Sequence, residues 1–599
     1  MFTPRLFTPP FGLITKLLFT LALAAFLFPA SGHAKTQPNI IVVMADDQGW
    51  GDLSAHGHPS IQTPHLDSLA KDGAQFSRFY VQPVCAPTRA EFLTGRYHLR
   101  GGVTGVSEGL ERIALREETI ADVLGSAGYA TATFGKWHSG SQYPYHPNGR
   151  GFQEFYGFTS GHWGSYWDAM MDHNGQVETG QGFMADDITN HTIKFMRDNH
   201  VADRPFFTLL AFNTPHSPMQ VPDAFYDRWV DKPIPSDHRF ARRENPEHTR
   251  AALAMVENLD HNVGRILTAI DELSIADSTI VVFLTDNGPN GARWNGDFKG
   301  QKGSTDEGGV RSPLFLRWSG QVPAGHVIAP RGAVIDLLPT LLDLAQIKHE
   351  PKNTLDGRSF ASSLRGESTP TPERLLFSHW NDRVSVRGSR WMLDHQGELF
   401  DLSADPRQES PVTGDYPQIT KDLQTAVTNW RADIAATGAD QHPPMIVGHP
   451  GTEFTPLPAR DATLHGDLKR SNRFPNCSYV LNWQSENDYL SWEVEIPADG
   501  RFEVVIYYTC AAEDVGTEFS LHWQNHSTGA RITAAWNPPA TGAEHDRFPR
   551  QESYVKVFQP LSLGEIDLRA GSGPMTLRVD KVPGQAAGEF RLLTLRRIP

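Results

Sequence analysis

Four short runs of apolar and β-branched residues, each closed by polar residues, organise the first half of the chain. Asn39–Met44 runs into Ala45-Asp46-Asp47, and Tyr129–Phe134 into Gly135-Lys136-Trp137-His138. Phe206–Phe212 runs into Asn213-Thr214-Pro215-His216, and Thr279–Leu284 into Thr285-Asp286-Asn287. Unbroken rather than alternating apolar runs fit strands buried on both faces of a parallel or mixed sheet. Helical patterns fall between them. Thr63–Ala70 has a capping Thr, Pro64 in its first turn and Gly73 beyond its end. Leu253, Val256, Leu259, Val263, Ile266, Leu267, Ile270 and Leu273 trace one face of a long amphipathic helix. This alternation predicts an α/β fold, with ligands gathered at the carboxyl ends of the strands. The polar clusters stand at those ends.

From about Ala436 to Asp461 the texture changes to a Pro-rich stretch with Pro443, Pro444, Pro450, Pro456 and Pro458. Beyond it the pattern alternates. Trp492, Val494 and Ile496 share one face, as do Phe502, Val504, Ile506 and Tyr508, and then Met575, Leu577 and Val579, which predicts a β-sandwich. At the N-terminus, Arg5 and Lys16 precede an apolar run, Leu17–Phe28, and small residues ending at Ala34. This reads as a secretory signal cleaved after Ala34. The run of 12 residues is short for a membrane span of about 20. The expected divisions are a signal peptide at 1–34, a catalytic α/β domain at 35–370, its C-terminal subdomain at 371–436, a linker at 437–460 and a sandwich at 461–599. The mature protein is expected to be exported, periplasmic or secreted, with no membrane span.

Composition changes this picture little. Of 599 residues, 39% are hydrophobic and 21% charged, an ordinary globular balance that excludes a disordered chain, a coiled coil or a collagen repeat. The 54 basic against 69 acidic residues leave a net charge of −15, which argues against a nucleic-acid partner. Three cysteines are too few for a disulfide framework.

One of them stands in the most specific string of the chain, Cys85-Ala86-Pro87-Thr88-Arg89-Ala90-Glu91-Phe92-Leu93-Thr94-Gly95-Arg96. Pro87 suits the first turn of a helix, which places Cys85 at the positive N-terminal end, with Arg89 one turn on. Such a position favours an anion or an activated group. A buried structural thiol fits the same residues equally well. Likewise an Asp-Asp pair after a strand is either a helix cap or a metal ligand, and Asp-Asn-Gly is either a turn or a ligand.

As a whole the string resembles the signature of the type I, formylglycine-dependent sulfatases of the alkaline-phosphatase-like superfamily. That pattern has Cys or Ser, Pro two later, Arg four later and Thr-Gly-Arg nine to eleven later. Other landmarks of the family follow in order: Asp46-Asp47-Gln48-Gly49, Gly135-Lys136-Trp137-His138, Pro215-His216, Asp286-Asn287-Gly288 and Lys302 before Glu307-Gly308-Gly309. The resemblance spans roughly Gln37 to Leu399-Phe400-Asp401-Leu402. It implies an α/β/α sandwich around a mixed, mostly parallel sheet, followed here by a jelly-roll-like sandwich that either binds glycan or is a structural addition.

The resemblance also implies the chemistry. Asp46, Asp47, Asp286 and Asn287, with the modified Cys85, would hold one metal ion. An all-oxygen set suits Ca²⁺, and Mg²⁺, which prefers to keep several waters, suits it less well. A separate maturation enzyme would convert Cys85 to formylglycine, whose hydrate attacks sulfur and then expels sulfate. Arg89, Lys136 and His138 would hold the hydrate and the sulfate. His216 and Lys302 would contact the sulfate, either being a candidate acid for the leaving oxygen. With Cys85 assigned to chemistry, Cys477 and Cys510 are candidates for a disulfide in an exported protein. Two residues depart from the family pattern, Ser139 and Asp306, both placed to alter the outer wall of the pocket.

The expected substrate is a sulfated carbohydrate. Gly161–Trp167, Ser378–Arg383 and Arg293-Trp294-Asn295 are candidate sugar-binding segments, with core packing as the alternative. The rival functions are an arylsulfatase of small molecules, a phosphatase or phosphodiesterase of the same fold, and a non-catalytic glycan-binding protein.

Overall fold

The computed structural model describes Met1 and residues 37–367, 372–438 and 443–598; beyond Met1, the predicted signal segment lies outside them. Five parallel strands form the centre of a ten-stranded sheet, in the order Thr279–Thr285, Asn39–Ala45, Phe206–Ala211, Ala130–Lys136 and Glu154–Phe158. Antiparallel Leu314–Arg317 flanks them on one side, and the hairpin Met170–His173/Gln176–Thr179 on the other. Every residue of the four strands predicted from apolar runs is buried. Alternate residues of one strand feed two cores. Ile41 and Val43 pack with the helix Pro246–Glu272, while Ile40, Val42 and Met44 pack with Cys85–Thr94 and Leu337–Leu344. This is the α/β/α sandwich. Burying each such Val, Ile or Phe is worth about 1.5–3 kcal/mol, which fixes the strand ends relative to one another.

Local signals played out unevenly. The helix Pro64–Lys71 starts where predicted, but Thr63 does not cap it. Its hydroxyl instead donates to Asp67 at 2.9 Å, and Asp260, from the long helix, accepts the Leu66 N–H at 2.8 Å. Asp72 ends the helix, and Gly73 serves a different need: a Cβ there would stand 2.3 Å from the Leu316 carbonyl oxygen.

A four-stranded antiparallel sheet spans Leu376–Trp380, Arg383–Arg387, Trp391–Leu393 and Leu399–Asp401, followed by the helix Pro417–Ala435. Two further sheets then pack face to face around Trp492, Val494, Phe502, Val504, Met575 and Leu577, the predicted sandwich. One expectation changes here, and one open pairing is answered. Met445–Ile446 and Phe454–Pro458, within the stretch read as a linker, are strands of the two sheets. Proline signals a loop but is tolerated on an edge strand, where Pro456 and Pro458 sit. Nor do Cys477 and Cys510 pair: both are free and buried, with Cys477 Sγ 2.9 Å from the His162 carbonyl and Cys510 Sγ 3.3 Å from that of Ala511.

Candidate active site

The polar ends of the four buried strands converge on the first turn of the helix Cys85–Thr94. Cys85 is its first residue and is buried, with Pro87 in the same turn. One turn on, the Arg89 guanidinium grips Asp286 Oδ2 through Nη2 (2.8 Å) and Nε (3.2 Å), and donates to the Lys136 carbonyl at 2.8 Å. Lys136 closes its strand fully buried, its ammonium 2.7 Å from Asp46 Oδ2. Lys302 reaches in from a loop, 2.6 Å from Asp47 Oδ1. His216 Nε2 lies 3.7 Å from Asp47 Oδ2, and its Nδ1 lies 2.7 Å from the Ser217 carbonyl. His138 Nε2 bonds the Val106 carbonyl at 2.7 Å, leaving Nδ1 buried without a partner. Asp47 and His138 both adopt left-handed backbone, at φ 65 and 58, strain of the kind that gathers at functional sites.

Three buried carboxylates thus face three cations, and the balance is uneven. Burial, and then repulsion from neighbouring carboxylates, pushes Asp46 and Asp286 up to about 6, against the pull of Lys136 and Arg89. Burial acts on Asp47 too, but Lys302, His216 and Lys136 together hold it well below the usual carboxylate range. Burial and then Lys302 depress His216 to about 4; burial and then Lys136 hold His138 well below the usual imidazole range. Both imidazoles are therefore neutral at neutral pH.

The residues present fit a hard cation. Asp46 Oδ1 and Asn287 Oδ1 are buried without any hydrogen-bond partner, two free oxygens in a cluster that also holds the carboxylates of Asp47 and Asp286. Donor atoms of Asp46, Asp47 and His216 lie close enough to share an ion, as do those of Asp46, Cys85 and Asp286. Asn287 turns its amide N–H to Asp47 Oδ1 at 2.8 Å, which leaves its carbonyl as the free group. Above this cluster opens a cavity of about 530 Å³ lined by Cys85, His138, His162, His216 and Lys302, with Trp380 at its side.

Comparison with known proteins decides the family. Residues 38–347 match the model of the sulfatase family, described as Sulfatase. The chain belongs to the sulfatase family. The sulfatase is similar to arylsulfatase A of Bos taurus, at 33% identity over 67% of this chain and 84% of the relative. It is also similar to N-acetylgalactosamine-6-sulfatase of Mus musculus, at 31% identity over 64% of this chain and 78% of the relative. Among solved structures it resembles Ps i-CgsB in complex with k-i-k-neocarrahexaose, with a TM-score of 0.60 and 28% identity over 68% of this chain and 94% of that one. The protein is a sulfuric ester hydrolase of alkaline-phosphatase-like fold.

All the residues singled out from the sulfatase signature, Asp46, Asp47, Cys85, Arg89, Lys136, His138, His216, Lys302, Asp286 and Asn287, are thus brought to one place. The candidate sugar-binding segments divide. His162 and Trp380 line the cavity, whereas Arg293 and Asn295 are core residues. Arg293 pairs with buried Asp52, and Asn295 accepts the Gly51 N–H at 2.7 Å. Tyr166 is buried under the His216 loop, its hydroxyl 2.9 Å from the Ser217 carbonyl. Asp306 turns away from the pocket to Ser304 and Gln408. Sequence reasoning missed the loops of the C-terminal sandwich, whose Phe474, Asn476, Phe548 and Glu552 also line the cavity. No local motif marks them.

Proposed function

We propose that this sulfatase removes sulfate from a sulfated carbohydrate and is exported to do so, with Cys85 matured to formylglycine. The observation that carries the reading is the position of residue 85. It stands buried at a helix N-terminus, lines the cavity together with His138, His216 and Lys302, and has its sulfur within reach of the Asp46 and Asp286 carboxylates. The matured side chain would supply, as a hydrated aldehyde, the hydroxyl that attacks sulfur. Asp46, Asp47, Asp286 and Asn287, with residue 85, would hold a divalent cation, Ca²⁺ in preference to Mg²⁺, which supplies charge withdrawal from the sulfate oxygens when bound.

This chain's own residues do the rest. Arg89 has its fork committed to Asp286 and the Lys136 carbonyl, so it acts as a fixed positive charge beside residue 85. Lys302 and Lys136 offset the anion of the substrate. His138, neutral and fixed through Nε2 on Val106, offers its free Nδ1 as a partner for a hydroxyl on residue 85. His216 is also neutral, and with its Nδ1–H donated to the Ser217 carbonyl its Nε2 can only accept; Lys302, charged, is the better placed proton donor for the leaving oxygen. A carbohydrate substrate is supported by the names of the relatives, one an N-acetylgalactosamine-6-sulfatase and one a structure solved with k-i-k-neocarrahexaose. Among the described residues no helix is long and apolar enough to cross a membrane. Mass spectrometry of the peptide around residue 85, from protein made beside a working maturation enzyme, tests the mechanism. An aldehyde at position 85 is expected; a thiol alone would refute it.

A further inference from the structure

The C-terminal sandwich does not merely follow the sulfatase unit; two of its loops reach the sulfate pocket. In the loop 472–477, the Asn476 carbonyl accepts the Ser160 hydroxyl at 3.0 Å. Asn476 Nδ2 donates to the Val106 carbonyl at 3.3 Å, the same carbonyl that holds His138. The second loop, 543–552, pairs with the segment that carries His216. The Arg547 N–H donates to the Met219 carbonyl at 2.8 Å, Gln220 Nε2 donates to Asp546 Oδ1 at 2.8 Å, and the Glu552 carboxylate accepts the Ser217 hydroxyl. Both loops lie outside the residues matched by the family model.

The face these loops turn to the cavity has a definite chemistry. Phe474 is a large apolar side chain left 37% exposed at the cavity edge, and Phe548 stands on the second loop. Gln551 supplies an amide and Glu552 a carboxylate. An aromatic face beside hydrogen-bonding groups suits a pyranose, whose C–H face packs on the ring while its hydroxyls bond the polar groups. A carboxylate in a pocket otherwise built for an anion also acts against any further negative charge on that side.

Resting on the reading of the substrate as a sulfated carbohydrate, we infer that these two loops form the subsite for the sugar of the leaving alcohol. Glu552 selects a ring bearing neutral hydroxyl or acetamido groups there over one bearing a second sulfate or a carboxylate. The test uses the full, matured chain and three substrates: the best-cleaved monosulfated oligosaccharide of a defined panel, its counterpart with a second sulfate on the same ring, and para-nitrophenyl sulfate. Phe474→Ala, at an exposed position, lowers the ratio of kcat/KM for the monosulfated sugar to that for the aryl sulfate about tenfold, mainly through KM. Glu552→Gln keeps an acceptor for Ser217 and raises the ratio of disulfated to monosulfated sugar at least about tenfold. Both ratios staying within about twofold of wild type, whatever the absolute rates, overturns the subsite. Wild-type enzyme that cleaves the aryl sulfate but none of the sugars refutes the carbohydrate reading itself, and the subsite with it.

Discussion

Arg293 offers the sharpest test of how the site is held, because it acts on Asp47 from behind. Its Nε and Nη2 meet Asp52 Oδ1 and Oδ2 at 2.9 and 2.6 Å, Nη2 also donates to the Asp47 carbonyl at 3.0 Å, and both partners of the pair are buried. Asp52 in turn accepts the Gly49 N–H at 2.7 Å, so the pair ties the loop after the first strand to the loop after Asp286. Arg293→Met leaves the Asp52 charge buried and unpaired, at a cost of about 3–5 kcal/mol. Adding Asp52→Asn removes that charge while keeping an acceptor for Gly49. The double variant is therefore less destabilised than the sum of the single ones, with a coupling of about 0.5–3 kcal/mol. Urea unfolding followed by tryptophan fluorescence and circular dichroism measures this, using the transition both probes share. Additive losses would show that the pair does not brace the loops and would refute the reasoning.

Three further outcomes are expected. Burial first of all holds His56, His58, His248 and His379 near 4 and His98 near 3, so each stays neutral in the fold while the unfolded chain takes up protons below about 6.5. Between pH 6.5 and 4 the unfolded state binds more protons, and each such group removes up to about 1.4 kcal/mol of stability per pH unit as pH falls; a melting temperature that is flat or rises from pH 7 to 5 contradicts this. Gly135→Ala places a Cβ 2.1 Å from the Ala211 carbonyl oxygen at φ +100, one residue before Lys136, and is expected to abolish folded protein, read by soluble yield and circular dichroism; a folded, active variant refutes it. Lys302→Ala removes the cation 2.6 Å from Asp47 and is expected to lower kcat/KM for para-nitrophenyl sulfate about 10²–10³-fold, a loss under tenfold contradicting its assigned role.

What the sequence reveals, and what it hides, follows from the range of the forces involved. The central strands are legible because burial on both faces imposes unbroken apolar runs, as in Ile40–Met44. The candidate site is legible because its charged residues stand directly after those strands and in short motifs. Partners set by tertiary contact leave no such trace. Nothing near Thr63 announces that Asp260 rather than Thr63 serves the first turn of its helix, or that Arg293, between Asp286 and Lys302, pairs backwards with Asp52 instead of facing a sugar. Prolines 456 and 458 suggest a linker because sequence shows their missing donors but not the edge that tolerates them. Glu552 is the extreme case: it meets Ser217 across 335 positions of chain, and no local pattern forecasts that.

The central claim is that the cluster around Cys85 releases sulfate from a sugar. It is tested most directly by offering the matured protein matched panels of sulfated and phosphorylated oligosaccharides and measuring both inorganic ions released. The account predicts sulfate from at least one sulfated sugar, with phosphate release far slower. Phosphate released without sulfate, or no sulfate from any sugar, would contradict it.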